Sequence, residues 1–181
     1  IGIFAGYRNP NHNNGAFVDG YFRTGDLGVL DSEGRLTLNG RLKDVIVTAN
    51  GKTVVPMVWE HVVETDARIS HAVMVGEGRP YLGALLLLDP EAASERMQNA
   101  SSADLTVDAT GFHEVTDAQL RAELRVVVDR ANSLVARSEQ VRRFVIVAAN
   151  LDDATLITPT MKVKRGAILD RGAEVVNSLY R

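Results

Sequence analysis

Apolar residues along this chain change rhythm several times, and each change marks an element. Over residues 21–30 and again over 35–38, strand formers flank Asp31-Ser32-Glu33-Gly34, a stretch with turn chemistry, so the pattern predicts strand, turn, strand. A short strand is expected at 45–48, followed by a tight turn at Asn50-Gly51. Pro56 suits the first position of a helix. On that helix Val58, Trp59, Val62 and Val63 share one face, and Glu60 and Glu64 fall on the other as a solvated face. Strands are expected at 71–75 and 81–88; the apolar run at 82–88 suits a buried strand and is too short for a bilayer.

Residues 91–115 are small, polar and weakly periodic, which predicts a loop, partly helical at most and the most mobile part of the chain. Thr116-Asp117-Ala118-Gln119 reads as a capping box. It opens a helix on which Leu120, Leu124, Val127, Ala131, Leu134 and Val135 keep helical spacing. A buried strand is expected at 144–147, a polar loop to Thr160, and a last helix at about 165–179. A hairpin followed by strands interleaved with helices predicts an α+β fold: a small mixed β-sheet domain with flanking helices, behind a separate β-rich piece.

Composition narrows the function. The formal net charge of -3 argues against a nucleic-acid binder, which needs a basic face. The absence of cysteine removes disulfides, thiolate nucleophiles and cysteine-ligated metal sites, and the natural compartment is a reducing cytoplasm. His12, His61, His71 and His113 lack metal-ligand spacing, so structural use is expected and no metal site is assigned. Trp59 and its valines read as core. The abrupt start at Ile1, without a methionine, suggests a piece of something longer.

Three segments do not read as ordinary structural sequence. In Tyr21-Phe22-Arg23-Thr24-Gly25-Asp26-Leu27-Gly28, an aspartate stands where a strand would not place one. Its carboxylate suits the paired hydroxyls of a ribose, or it is simply a turn or bulge residue. In Gly40-Arg41-Leu42-Lys43-Asp44, an arginine at a strand mouth can hold phosphate or ribose oxygens, or the tetrad is a solvated turn. In Leu156-Ile157-Thr158-Pro159-Thr160-Met161-Lys162, a loop presents a basic cluster. A compact ammonium there can bridge a carboxylate and a phosphate as charge moves between them, or the loop is merely basic sequence before a helix.

In their order and spacing these segments resemble the adenylate-forming superfamily of acyl-CoA synthetases, luciferases and peptide-synthetase adenylation domains. The family's "GYF-RTGD" segment, a strand pair, "GR-K-D", a glycine-containing turn before a proline-started helix and a late "P-T-x-K" loop all occur here in sequence. Phe4-Ala5-Gly6-Tyr7 with Asn9-Pro10 fits the stretch just upstream. The resemblance implies that Asp26 binds the ribose hydroxyls of ATP and the acyl-adenylate. It implies that Arg41 contacts ribose or phosphates, that Leu38 packs near the adenine and that Lys43 is a hinge. Lys162 is then the adenylation lysine. A second face at Thr48, Asn50, Gly51 and Lys52 would line the tunnel for the coenzyme A thiol. Residues 1–42 are expected to be the tail of a large ATP-binding domain and 43–181 a mobile C-terminal domain, with a flexible insertion at 91–115.

Two positions depart from the common pattern. Asn50-Gly51 replaces a frequent glycine pair, and Met161 stands where many members have glycine. The second, with Leu156-Ile157-Thr158-Pro159-Thr160 and Gly78-Arg79-Pro80-Tyr81-Leu82, resembles the long-chain fatty acyl-CoA synthetase branch. That implies ATP, magnesium, a fatty acid and coenzyme A as ligands of the complete enzyme, with any membrane association peripheral. The family's phosphate loop and its magnesium-holding glutamate motif are not in this sequence, so the 181 residues alone are expected to be inactive and to hold no cofactor tightly. Alternatives are an acyl-AMP ligase or adenylation domain loading a carrier protein, and a non-catalytic module of the same fold.

Overall fold

The computed structural model describes residues 4–92, 94, 105–107, 112–149, 155–158, 160 and 162–181. The chain divides into two compact units, residues 1–45 and 46–181.

The first unit carries two antiparallel ribbons. Strand β1 (Phe17–Val18) pairs with β2 (Tyr21–Phe22), and β3 (Asp26–Leu30) pairs with β4 (Leu36–Arg41). The continuous strand expected over 21–30 is therefore broken. Gly25, at φ +75°, redirects the backbone between β2 and β3, a conformation that favours glycine. Asp31 closes the β3–β4 turn as its carboxylate accepts the N–H groups of Glu33 and Arg35, both at 2.9 Å. Phe4, Tyr7, Phe17 and Phe22 gather their rings, Phe4 and Phe22 at 4.8 Å between centroids.

The second unit is built on a five-stranded sheet ordered β7-β8-β11-β10-β9. Its strands are β7 (Ile69–Val75), β8 (Leu82–Leu88), β9 (Leu105–Val107), β10 (Phe112–Val115) and β11 (Val141–Ala149). Only the β8–β11 pair is parallel. The small ribbon of β5 (Ile46–Val47) and β6 (Thr53–Val54) precedes it. Helices cover both faces. Ala84, Leu86, Ala72, Met74, Phe144 and Ile146 pack with Trp59 and Val63 of α1 (Met57–Val63) and with Leu120, Leu124 and Val128 of α2 (Ala118–Ser133). The alternate residues Leu85, Leu87, Val73, Val75, Val145 and Val147 pack with Ile168 of α3 (Arg165–Arg171) and Val175 of α4 (Ala173–Ser178). Two covered faces explain why every residue of β8 is buried. Each fully buried leucine contributes about 1.5–3 kcal/mol relative to exposure.

Several expectations change. Strands β9 and β10 lie inside 91–115, where a loop was expected. At three and four residues they are too short for alternation to show, and antiparallel pairing organises them, β10 onto β11 and β9 onto β10. The rest of that stretch lies largely outside the described residues. The α2 cap is Asp117, which accepts the Leu120 N–H at 2.8 Å, rather than Thr116. Leu134 sits past the helix end and Val58 on the outer side of α1, and both are exposed. The terminal helix is two helices meeting at Gly172, where a Cβ would approach the Ile168 carbonyl to 3.0 Å.

Candidate functional site

In the first unit, Asp26 and Arg41 are direct cross-strand partners on β3 and β4. Arg41 Nε reaches Asp26 Oδ1 at 3.1 Å, and the Thr24 hydroxyl accepts the Asp26 N–H at 3.1 Å. The ribbon slips register between Leu27 and Gly28, immediately after the aspartate. A bulge of this kind re-aims a side chain. One carboxylate oxygen is engaged by arginine, and the group retains capacity for further donors such as sugar hydroxyls. Leu38 faces solvent on β4, and Lys43 is exposed on the 3-10 turn Leu42–Asp44.

Thr48, Asn50, Gly51 and Lys52 come together in the turn of the β5–β6 ribbon. The buried Thr48 hydroxyl bonds the Asn50 side chain and donates to the Lys52 carbonyl at 3.2 Å, while the Gly51 N–H reaches the Thr48 carbonyl at 2.8 Å. Gly51 takes φ +77°, the conformation for which the turn needs glycine. The ribbon is docked onto the turn after β7 by three bonds. Val47 N–H reaches Glu77 Oε2 at 2.8 Å, Gly78 N–H the Val47 carbonyl at 2.9 Å and Ala49 N–H the Arg79 carbonyl at 2.9 Å. Lys52 Nζ lies 3.5 Å from Glu139. The turn is a fixed shelf, carrying backbone and one lysine.

Lys162 stands on a different loop. Ile157 and Val163 form an antiparallel bridge across its base. The Thr158 N–H reaches the Lys162 carbonyl at 2.8 Å, the Lys162 N–H reaches Thr158 Oγ1 at 3.0 Å, and the Lys164 N–H reaches the Leu156 carbonyl at 2.7 Å. Leu156 and Ile157 are buried in the second core. The side chain of Lys162 is exposed and makes no ion pair with any described residue. Pro159 and Met161 lie outside the described residues. A cation that no described carboxylate pairs with, on a loop closed by its own backbone, can meet an anionic ligand.

Sequence reasoning missed what lies beneath this loop. Glu60 is drawn out of solvent while Glu64 stays exposed, yet both are acceptors: Glu60 takes the N–H of Met74 at 2.7 Å and Glu64 that of Ala72 at 2.9 Å on the outer edge of β7. One helical turn of α1 spans about the same length as two strand residues, so carboxylates four apart meet amides two apart. Glu60 also receives Arg165 Nη1 at 2.7 Å, and Arg165 Nη2 donates to the Met74 carbonyl. Burial pushes the Glu60 carboxyl above its ordinary range, with the Arg165 charge opposing that rise. Glu123 on α2 pairs with Arg68 and remains 40% exposed. The signal for Glu60 and Glu64 was their spacing of four; nothing local said that an open strand edge would lie opposite. Among the described residues no three acidic, histidine or cysteine side chains cluster as a metal site.

A sequence profile described as the AMP-binding enzyme C-terminal domain matches residues 43–181. The long-chain-fatty-acid–CoA ligase FadD15 of Mycobacterium tuberculosis is 41% identical over 180 residues, covering 98% of this chain and 30% of that protein. The long-chain-fatty-acid–CoA ligase ACSBG1 of Bos taurus is 32% identical over 201 residues, covering 99% of this chain and 27% of its own length. The chain thus spans about three tenths of the curated relatives it matches. A solved adenylation domain of a carboxylate reductase from Mycobacterium chelonae shares the fold, with a TM-score of 0.72 and 20% identity over 96% of this chain and 25% of that one.

Proposed function

The chain belongs to the family of AMP-binding enzyme C-terminal domains, and we propose that it is the C-terminal portion of an ATP-dependent long-chain fatty acyl-CoA synthetase, with Lys162 as its adenylation lysine. The observation that carries this reading is the Lys162 loop: a closed, core-anchored turn presenting an ammonium that no described carboxylate neutralises. Similarity to ligases named for long-chain fatty acids and coenzyme A supports the substrate class.

In the first half-reaction a fatty-acid carboxylate oxygen attacks the α-phosphorus of ATP and pyrophosphate leaves. Negative charge accumulates on the oxygens around that phosphorus, where an aimed ammonium lowers the barrier. Asp26 would accept the ribose hydroxyls, with Arg41 orienting the carboxylate through the 3.1 Å contact. In the second half-reaction the coenzyme A thiol attacks the acyl carbonyl, losing its proton, and AMP departs. The Thr48–Lys52 turn would border the thiol's approach, and Lys43 would lie at the pivot between the two arrangements. Among the described residues no three acidic or histidine side chains cluster to hold magnesium.

The test is Lys162→Ala in the complete enzyme. Adenylation, read as ATP–pyrophosphate exchange, should collapse by about 10²- to 10³-fold, the loss typical of removing one transition-state donor. Thioester formation from supplied acyl-adenylate and coenzyme A should largely survive. Equal loss in both half-reactions would remove Lys162 from this role. Transfer to a carrier-protein pantetheine in preference to coenzyme A would reassign the acceptor.

A further inference from the structure

The backbone of Lys162 has to be held in place, and the means is visible three residues downstream. The first leg of the loop is fixed by Leu156 and Ile157, buried in the core. The second leg enters α3 through Lys164, which makes no side-chain cap. Arg165, the first residue of that helix, supplies the anchor instead. Its guanidinium donates to Glu60 Oε1 at 2.7 Å and to the Met74 carbonyl, while the same Glu60 oxygen accepts the Met74 N–H at 2.7 Å. Both outward backbone groups of Met74 are thereby engaged by one ion pair.

Met74 lies on β7, an edge strand of the sheet. Glu60 comes from α1 on one face and Arg165 from α3 on the other. The pair therefore clasps the sheet edge and ties the two helical layers across it. Its side chains are only 15% and 20% exposed. A buried ion pair is a weak source of stability, because desolvation offsets the attraction. An apolar pair would hold the layers as well, but it would not set direction. The two donors of a planar guanidinium, satisfied by a carboxylate and a carbonyl, fix both the position and the orientation of the helix start.

We propose that Glu60 and Arg165 form a positioning pair that sets the placement of Lys162 for the adenylation step. This rests on the reading of Lys162 given above, and the closing experiment separates the two. The positioning pair does not touch the reacting atoms. Its loss should therefore act through Lys162 and appear in the half-reaction that Lys162 serves.

In the complete enzyme, Arg165→Met and Glu60→Gln are compared with Lys162→Ala in both half-reactions. Arg165→Met is expected to lower kcat for ATP–pyrophosphate exchange by about 10²-fold, the loss a misplacement of about 1 Å can cause. Its KM for ATP and its thioester formation from supplied acyl-adenylate should stay close to wild type. Glu60→Gln keeps an oxygen for Met74 and Arg165, so its loss should be smaller and confined to the same half-reaction. If Lys162→Ala is selective while Arg165→Met and Glu60→Gln depress both half-reactions equally, or neither, the pair is merely structural and the proposal falls with the Lys162 reading intact. If Lys162→Ala is itself unselective, the reading of Lys162 fails first and the positioning role fails with it.

Discussion

Trp59 on α1 donates its indole N–H to Asn132 Oδ1 on α2 at 2.9 Å, a bond spanning 73 positions of sequence. The same Asn132 oxygen accepts the Val141 N–H at 2.9 Å, and its amide donates to the Val141 carbonyl at 3.0 Å. One side chain thus joins two helices to the start of β11.

Asn132→Ala removes all three bonds and leaves an indole N–H and two backbone groups without partners. Each such group costs about 1–3 kcal/mol when buried, and partial relief by water lowers the sum. The expected loss is about 2–4 kcal/mol, seen as a lower urea midpoint at unchanged slope. Trp59, the single tryptophan, reports the transition directly. A midpoint within error of wild type would show that the three bonds are not maintained in solution.

Glu60 and Asp66 should give pH dependences of opposite sign. The Glu60 carboxyl is raised from its ordinary value near 4.5 by burial, so the folded chain holds that proton more tightly than the unfolded one. Its contribution to stability is fully present below the unfolded value and is lost as pH rises through the folded value. Asp66 is lowered from 3.8, chiefly by its hydrogen bond from Arg68, so its contribution is present above that value and is lost as pH falls through the folded value. Urea midpoints across pH 3–7 (roughly the carboxylate range) should show wild type losing ground to Glu60→Gln as pH rises. Against Asp66→Asn, wild type should gain. A wild-type advantage over Glu60→Gln that grows with pH would mean that Arg165 outweighs burial.

Gly51 and Gly83 are needed for different reasons, and substitutions tell them apart. Around Gly51 nothing lies within 4 Å of an added Cβ, so only its φ of +77° resists alanine. Gly51→Ala should cost about 1–2 kcal/mol, and Gly51→Asn less, because asparagine tolerates that conformation. At Gly83 a Cβ would meet Leu179 Cδ1 at 2.9 Å. Gly83→Ala should cost about 1–3 kcal/mol by overpacking, with asparagine worse than alanine. The reverse ranking at either position would contradict these assignments, and thermal denaturation of the four variants is sufficient to decide.

Leu86 and Leu134 look equivalent as apolar residues but differ in burial, 0% against 62% exposed. Leu86→Ala should cost about 2–5 kcal/mol through the cavity it leaves. Leu134→Ala should stay within about 0.5 kcal/mol of wild type. Comparable losses in the two variants would mean that Leu134 is covered in solution.

The elements that sequence reasoning recovered are those whose signal is local. The alternation around Asp31, the apolar run of β8 and the helical spacing of Leu120, Leu124, Val127 and Ala131 each lie within one element, so neighbouring residues suffice to show them. The order of the Asp26, Arg41 and Lys162 segments likewise needs no coordinates, because a motif is a property of spacing. Asp31 and Gly51 also behave as turn residues for reasons internal to their own turns.

Tertiary structure decided what the open edges and faces meet. Glu60 and Glu64 have the spacing of an exposed helix face, and only the arrival of β7 beside α1 turns them into acceptors for Ala72 and Met74. Strand β10 exists because β11 offers it an edge, and β9 because β10 then offers another. Leu134 fits the helical rhythm yet falls one residue past the helix end, where no partner covers it. By itself the sequence determined the periods, the turns and the order of its chemical segments, since those depend on near neighbours along the chain. Which strand lay at the edge, and therefore which carboxylate met Arg165, depended on pairing between residues up to 105 positions apart. Such contacts are settled by competition among surfaces for burial and for hydrogen-bond partners, and no local pattern records the outcome.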